Sequence, residues 1–232
     1  MVCGTKFNKY EDYGFAMAPL YYRFVEWAAP QTKGNVYASM RGAKPIICAA
    51  HEMARIGVTD TSDWQELWVN RTIADKLADH RTVNYLEQIG IDKKTPFTLV
   101  DNGYKGQIPY AFEVHGYKKL KALFVAKLAS AHSSVNALFT SSDIRQKLNR
   151  SLFNLSGPLI EGIPTETVEY YYLEKNQDGK LGPETLPKIN KLEHDNFYKG
   201  FKDGINCCAE KDQKQSNEQF WSYLNDLYMQ TT

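Results

Sequence analysis

Strands that alternate with helices along most of the chain predict an α/β fold, a mostly parallel sheet with flanking helices. Two observations carry this reading. Apolar runs at 35–40, 97–101 and 120–126 are each bounded by turn residues, and the first two lead through a glycine-bearing loop into a helix with a proline in its first turn. Beyond residue 190 the periodicity is purely helical, so residues 191–232 are read as a helical C-terminal extension packing on an α/β domain of residues 1–190.

Each element follows from its pattern. Ala18-Pro19-Leu20 opens the first helix, with Tyr21, Phe24, Val25 and Ala28 at helical spacing and Pro30 ending the run. Residues 35–40 read as a buried strand, followed by a helix with Pro45 as its first residue, Ile47, Ala50 and Ala54 on one face, and Gly57 as C-terminal cap. Residues 61–90 read as two helices. The first is capped within Thr61-Ser62-Asp63 and carries Val69, Ile73 and Leu77; the second runs through Val83, Leu86 and Ile89 to Gly90. Residues 97–101 form the next strand, 102–107 its loop, and Pro109 lies in the first turn of the following helix. Residues 120–126 read as a strand, and Ile144, Leu148 and Leu152 mark a helix. Ser156-Gly157-Pro158 reads as a loop, 168–173 as a strand and 175–180 as a surface turn. In the tail, Phe197, Phe201 and Ile205 share one helical face and Phe220, Leu224 and Tyr228 another.

Composition narrows the function. The 232 residues carry 28 Lys and Arg against 27 Asp and Glu, and the resulting formal charge of +1 gives no general electrostatic grip on nucleic acid. No apolar run approaches the roughly 20 residues of a membrane span. The first fifteen residues have no apolar stretch of the kind a secretory signal needs, which gives the expectation of a cytoplasmic protein. Cys3, Cys48, Cys207 and Cys208 show no C-x-x-C or disulfide-framework spacing, so reduced thiols are expected, with Cys207 and Cys208 following an amphipathic helix.

The chemistry is expected at two loops. In an open parallel sheet a ligand binds beyond the carboxyl ends of the strands, where strand order reverses. Arg41-Gly42-Ala43-Lys44-Pro45 and residues 101–107 each join such a strand end to a helix start. Amides at a helix start favour a phosphate or carboxylate. Gly42, Gly103 and Gly106 allow close backbone approach, with Tyr104 and Gln107 in the same loop. Arg41 can grip an anion bidentately, and Lys44 and Lys105 add charge. Asp101, ending an apolar strand, can hold a metal, accept from ribose hydroxyls or act as a base. The bland alternatives are that Asp101 caps its loop, Arg41 pairs with a neighbouring helix, and both lysines are solvated.

Other motifs are absent. The five histidines, His51, His80, His115, His132 and His194, have no H-x-x-x-H or H-x-H spacing, and no metal-ligand set is assigned. There is no G-x-S-x-G, Walker P-loop or G-x-G-x-x-G. Tyr170-Tyr171-Tyr172 would suit either base stacking or a half-buried strand.

Four segments taken in order carry a family resemblance: residues 18–27, 36–45, 68–71 and 99–108. They resemble the domain on the C-terminal side of predicted HAD-superfamily hydrolases in bacterial polysaccharide gene clusters. That family shows G-P-L-x-x-x-F-x-x-W, A-R-D-G, S-R and V-D-I-G-W-x-G-[ST]. Here Met40-Arg41-Gly42-Ala43 stands for A-R-D-G, Asn70-Arg71 for S-R, and Gln107 for the last hydroxyl residue. No HAD phosphatase motif is present.

More distantly, the layout resembles phosphoribosyltransferases, a Rossmann-like α/β class with R-G-G-x-x-[PA] and V-D-D-x-x-x-T-G segments. That likeness implies Arg41 and Lys44 at pyrophosphate, Asp101 at the ribose hydroxyls, residues 103–107 around the 5-phosphate, and magnesium as cofactor. Asn102 stands where that family has its second acid.

Three readings follow. The first is an enzyme of transfer or hydrolysis acting on a phosphorylated sugar or nucleotide, with Asp101, Arg41 and Arg71 as the catalytic set. The second is a nucleotide- or anion-binding protein without chemistry. The third is an interaction module that meets another copy or a protein partner through the C-terminal helices.

Overall fold

The computed structural model describes residues 6–40, 42–151, 173–183, 191–210 and 216–231. Five parallel strands form one sheet in the order β2-β1-β3-β4-β5. They are β1 (Asn35–Ser39), β2 (Gln65–Leu67), β3 (Phe97–Asp101), β4 (Leu120–Lys127) and β5 (Val135–Thr140). In register, Tyr37 lies between Gln65 and Leu99, and Asp101 lies opposite Phe124. A two-stranded antiparallel hairpin, β6 (Leu173–Lys175) and β7 (Leu181–Pro183), stands apart from this sheet.

The described α-helices are α1 (Tyr10–Ala28), α2 (Lys44–Arg55), α3 (Arg71–Ala74), α4 (His80–Gln88), α5 (Gln107–Val114), α6 (Ser141–Leu148), α7 (Lys191–Glu210) and α8 (Asn217–Thr231). None of the described helices is long and apolar enough to cross a membrane.

Period-2 alternation sends successive strand side chains to opposite faces. Val36, Ala38, Val100, Leu123 and Val125 join a core with α1, α2, α6, α7 and α8. Tyr37, Phe97 and Leu99 join a second core with α3, α4 and α5. Helices therefore cover both faces, which is why β1, β3 and β4 read as continuous apolar runs in the sequence.

Several boundaries differ from the sequence reading. α1 begins at Tyr10 and not at Ala18, so Pro19 lies inside the helix. An interior proline removes one helical hydrogen bond and costs about 3 kcal/mol. Tyr13, Met17, Leu20, Tyr21, Phe24 and Val25 are all buried to within 1%. At about 1.5–3 kcal/mol for each large apolar side chain, that burial outweighs the proline. α7 holds α1 at close range, because Gly14 and Gly200 have backbone where a side chain would stand: a Cβ would lie 2.0 Å from the Phe197 carbonyl oxygen and 1.9 Å from that of Glu11.

The first helix expected in 61–90 does not form. That stretch holds strand β2 and the single turn α3, while Val69, Ile73 and Leu77 are buried without sharing a helix. The second helix is α4, and Asp79, expected in a break, caps it by accepting from the Arg81 amide at 2.8 Å. Gly57 and Gly90 end α2 and α4 in the left-handed conformation, at φ 76° and 85°. In each case the next amide reaches back five residues to a helical carbonyl, Val58 to Met53 and Ile91 to Leu86.

Strand β5 has no counterpart in the sequence reading. The connection 128–134 returns the chain to the parallel strand beside β4 without a helix, shorter than the dozen or so residues such a crossover normally takes. α6 follows at once, its N-terminus closed by a reciprocal pair between Thr140 and Asp143. Leu152, the loop at 156–158, the tyrosine run 170–172 and most of the strand expected at 168–173 lie outside the described residues.

The two tail helices carry Phe197, Phe201, Ile205, Phe220, Leu224 and Tyr228 into the first core. Cys207 and Cys208 lie in the last turn of α7 itself and do not follow it.

Candidate functional site at the carboxyl rim of the sheet

In the order 2-1-3-4-5, the connections from β1 and β3 leave in opposite directions, and the crevice between their carboxyl ends is where doubly wound sheets place a ligand. The two loops singled out in the sequence leave from these two strand ends. They touch. The Asn102 side-chain amide donates to the Gly42 carbonyl at 2.5 Å, joining the loop after β1 to the loop after β3.

Beside that junction lies an open cleft. Asp101, Gly103, Tyr104, Lys105, Gly106 and Gln107 line it, with Arg71 from the start of α3. Of the residues selected from sequence, these seven come together. Gly42 and Lys44 do not line the cleft. Lys44 instead pairs with Glu66 of β2 at 2.7 Å, with both side chains partly exposed. Arg41 lies outside the described residues.

The loop after β3 is shaped from both sides. Its carbonyls at Asn102, Tyr104 and Lys105 accept from the amides of Ala126, Leu128 and His132, so it runs beside the end of β4. Gly103, at φ 136°, lies against the sheet where a Cβ would come 2.2 Å from the Ala126 carbonyl oxygen. Gly106, at φ 78°, would place one 2.7 Å from Val135. As the N-cap of α5, Gly106 brings no side chain to the first amides of the helix, those of Gln107 and Ile108. These amides and the helix dipole favour an anion in the cleft.

Asp101 is the acid of the site. Burial is the main cause that lifts its carboxyl to about 7, while the amides of Asn102 and Gly103 and the charge of Arg71 act in the opposite direction. Its Oδ1 accepts from the Asn102 amide at 2.7 Å. The capping role considered in the sequence is therefore real, and it coexists with a place in the cleft. Arg71 stands at the first position of α3, whose start is fixed by Asn70 accepting from the Ile73 amide at 2.9 Å.

Ile108, Pro109 and Phe124 also line the cleft, and sequence reasoning missed them as site residues. Pro109 was legible only as a helix start. Phe124 belongs to a strand whose facing relative to Asp101 is set by the β3–β4 register. Among the described residues no group of three or more His, Cys, Asp or Glu side chains is placed to hold a metal ion.

No family model matches the chain, and no curated protein matches it.

Proposed function

We propose that the cleft binds the phosphate of a phosphorylated sugar or nucleotide, and that the protein carries out phosphoribosyltransferase-like transfer or hydrolysis there. The supporting observation is the convergence of Asp101, Arg71 and the glycine-rich start of α5 in one cleft at the sheet's carboxyl rim. In this reading the Gln107 and Ile108 amides receive the phosphate, and Arg71 and Lys105 offset its charge. Asp101 holds a hydroxyl of the ligand, or takes the proton of the attacking water or acceptor as the bond to the leaving group breaks. A carboxyl that titrates near 7 suits such a proton transfer. Asp101 could supply one carboxylate to magnesium, with the ligand's phosphates supplying further oxygen ligands, a usual arrangement for that ion. The likeness to phosphoribosyltransferases and to the HAD-associated domains enters this proposal through Arg71 and residues 101–107.

A second reading, nucleotide or anion binding without chemistry, has an observation in its favour. The position of the second acid in the phosphoribosyltransferase pattern is Asn102, and its amide is engaged with Gly42. The third reading, contact through the tail, has less to draw on. The aromatic faces of α7 and α8 are packed into the chain's own core.

The test is a thermal-shift screen of the whole chain against inorganic phosphate, pyrophosphate, ribose 5-phosphate and nucleotides, with and without magnesium. A ligand at 100 times its dissociation constant should add about 2.7 kcal/mol of stability. Turnover lost in Asp101→Asn with binding kept supports the enzyme. Retention of a ligand with no product by mass spectrometry supports the binding protein. No stabilisation by any phosphate rejects both.

A further inference from the structure

Asp101 and Asn102 are neighbours in sequence, yet strand alternation sends them to opposite sides of the sheet. Asp101 follows Phe97 and Leu99 toward the face of α3 and α5 and lines the cleft. Asn102 continues the face of Val100, toward α1 and α2, and is only 3% exposed. There its side-chain amide donates to the Gly42 carbonyl, while its Oδ1 is buried without a hydrogen-bond partner among the described residues. Its backbone carbonyl still pairs with the Ala126 amide, so the side chain is held at a fixed place in the ladder.

We propose that Asn102 is a positioning residue, a strut that locks the loop after β3 to the loop after β1 from behind, so that the loop lining the anion cleft is held rigid by the one beside it. It does not touch the ligand. The inference rests on the proposed phosphate site for its functional consequence, but the strut itself is a separate claim. It also gives a physical reason for an amide here: an ionised carboxylate has no proton to donate to the Gly42 carbonyl, and burial behind Asp101 would penalise its charge.

Among the described residues, the charged and titratable groups around this junction include Asp101 beside it, Arg71 of α3 and Lys105 in the cleft, the Lys44–Glu66 pair at the start of α2, and Tyr21 and Tyr104 on the side of α1. Asn102→Asp separates the strut from its alternatives. When protonated, an aspartic acid at this position regains a donor for Gly42; when ionised it does not.

The experiment compares wild type, Asn102→Asp and Asn102→Ala as full-length chains. It measures hydrogen-exchange protection of residues 42–44 and 103–107, and inorganic pyrophosphate binding by calorimetry, at about pH 5 and about pH 8. Protection in Asn102→Asp should fall about tenfold relative to wild type at the higher pH and return at the lower, while Asn102→Ala stays low at both. Affinity, expressed relative to wild type at each pH, should move the same way. If protection follows this pattern while no variant binds pyrophosphate, the strut stands and the phosphate reading fails. If all variants bind equally and protection in Asn102→Ala matches wild type, the strut is overturned. Should Asn102→Ala not fold, recovery of Asn102→Asp between the two pH values decides alone, and its absence overturns the proposal.

Discussion

The loops after β1 and β3 look alike in sequence, each with glycine, lysine and a charged residue before a proline in the first turn of a helix, yet they differ in what they build. The loop after β3 is fastened to β4 and to the β4–β5 connection by three of its carbonyls, and it lines the cleft. The loop after β1 is a tight turn in which the Ala43 amide bonds Ser39 and the Ile46 and Ile47 amides bond Ala43. Its lysine is turned to Glu66, and its described contact with the site is the Gly42 carbonyl under Asn102. A shared motif composition thus gives a wall in one place and a brace in the other. What divides them is length and neighbours: the longer loop has β4 to lean on, and the shorter turns at once into α2.

Substitutions can break or sharpen this contrast. The largest loss of stability is expected from Gly103→Ala in the wall. Its positive φ and the approach of the Ala126 carbonyl should cost about 3 kcal/mol in chemical denaturation and abolish phosphate binding.

Asp101→Asn comes next, and its sign is opposite. A carboxyl raised from 3.8 to about 7 binds more protons folded than unfolded between those values, so it weakens the fold as pH rises through that window. The amide should therefore stabilise the protein above about pH 7 and do little below about pH 4, with the gap growing by at most about 1.4 kcal/mol per pH unit between. Denaturation midpoints measured across that range check this. A gap of constant size would contradict the buried-acid assignment.

Arg71→Ala, on the exposed first position of α3, should leave stability within about 0.5 kcal/mol while lowering phosphate affinity about tenfold in calorimetry. Smallest of all is Lys44→Ala in the brace. Its partly exposed ion pair should contribute no more than about 1 kcal/mol, and phosphate affinity should be unchanged. An affinity loss equal to that of Arg71→Ala would erase the distinction between the two loops.

The contrast also marks where sequence reading succeeds. β1, β3 and β4 were legible because both faces of each are covered, leaving uninterrupted apolar runs between turn residues. β2 was not, because Gln65 and Glu66 make two of its three residues polar and its pairing with β1 is what makes it a strand. β5 hid behind a crossover too short to suggest a parallel partner. The sequence reading starts α1 at Ala18, next to Pro19, and not at Tyr10, since local propensity forbids what α7 packing permits. At the site, Asp101 and the glycines at 103 and 106 could be named from their place after an apolar strand. Phe124 and the Asn102–Gly42 bond could not, as both depend on which strands become neighbours.

The sequence by itself determined the alternation of strands and helices, and hence two charged, glycine-bearing turns at the same ends of parallel strands, because periodicity and turn chemistry act over a few residues. Only the tertiary structure decided that β1 and β3 are adjacent, that Asp101 faces the cleft while Asn102 faces the core, and that Lys44 turns away to Glu66. Those outcomes depend on strand order and on which helices cover each face, and such long-range pairings leave no local trace in the chain.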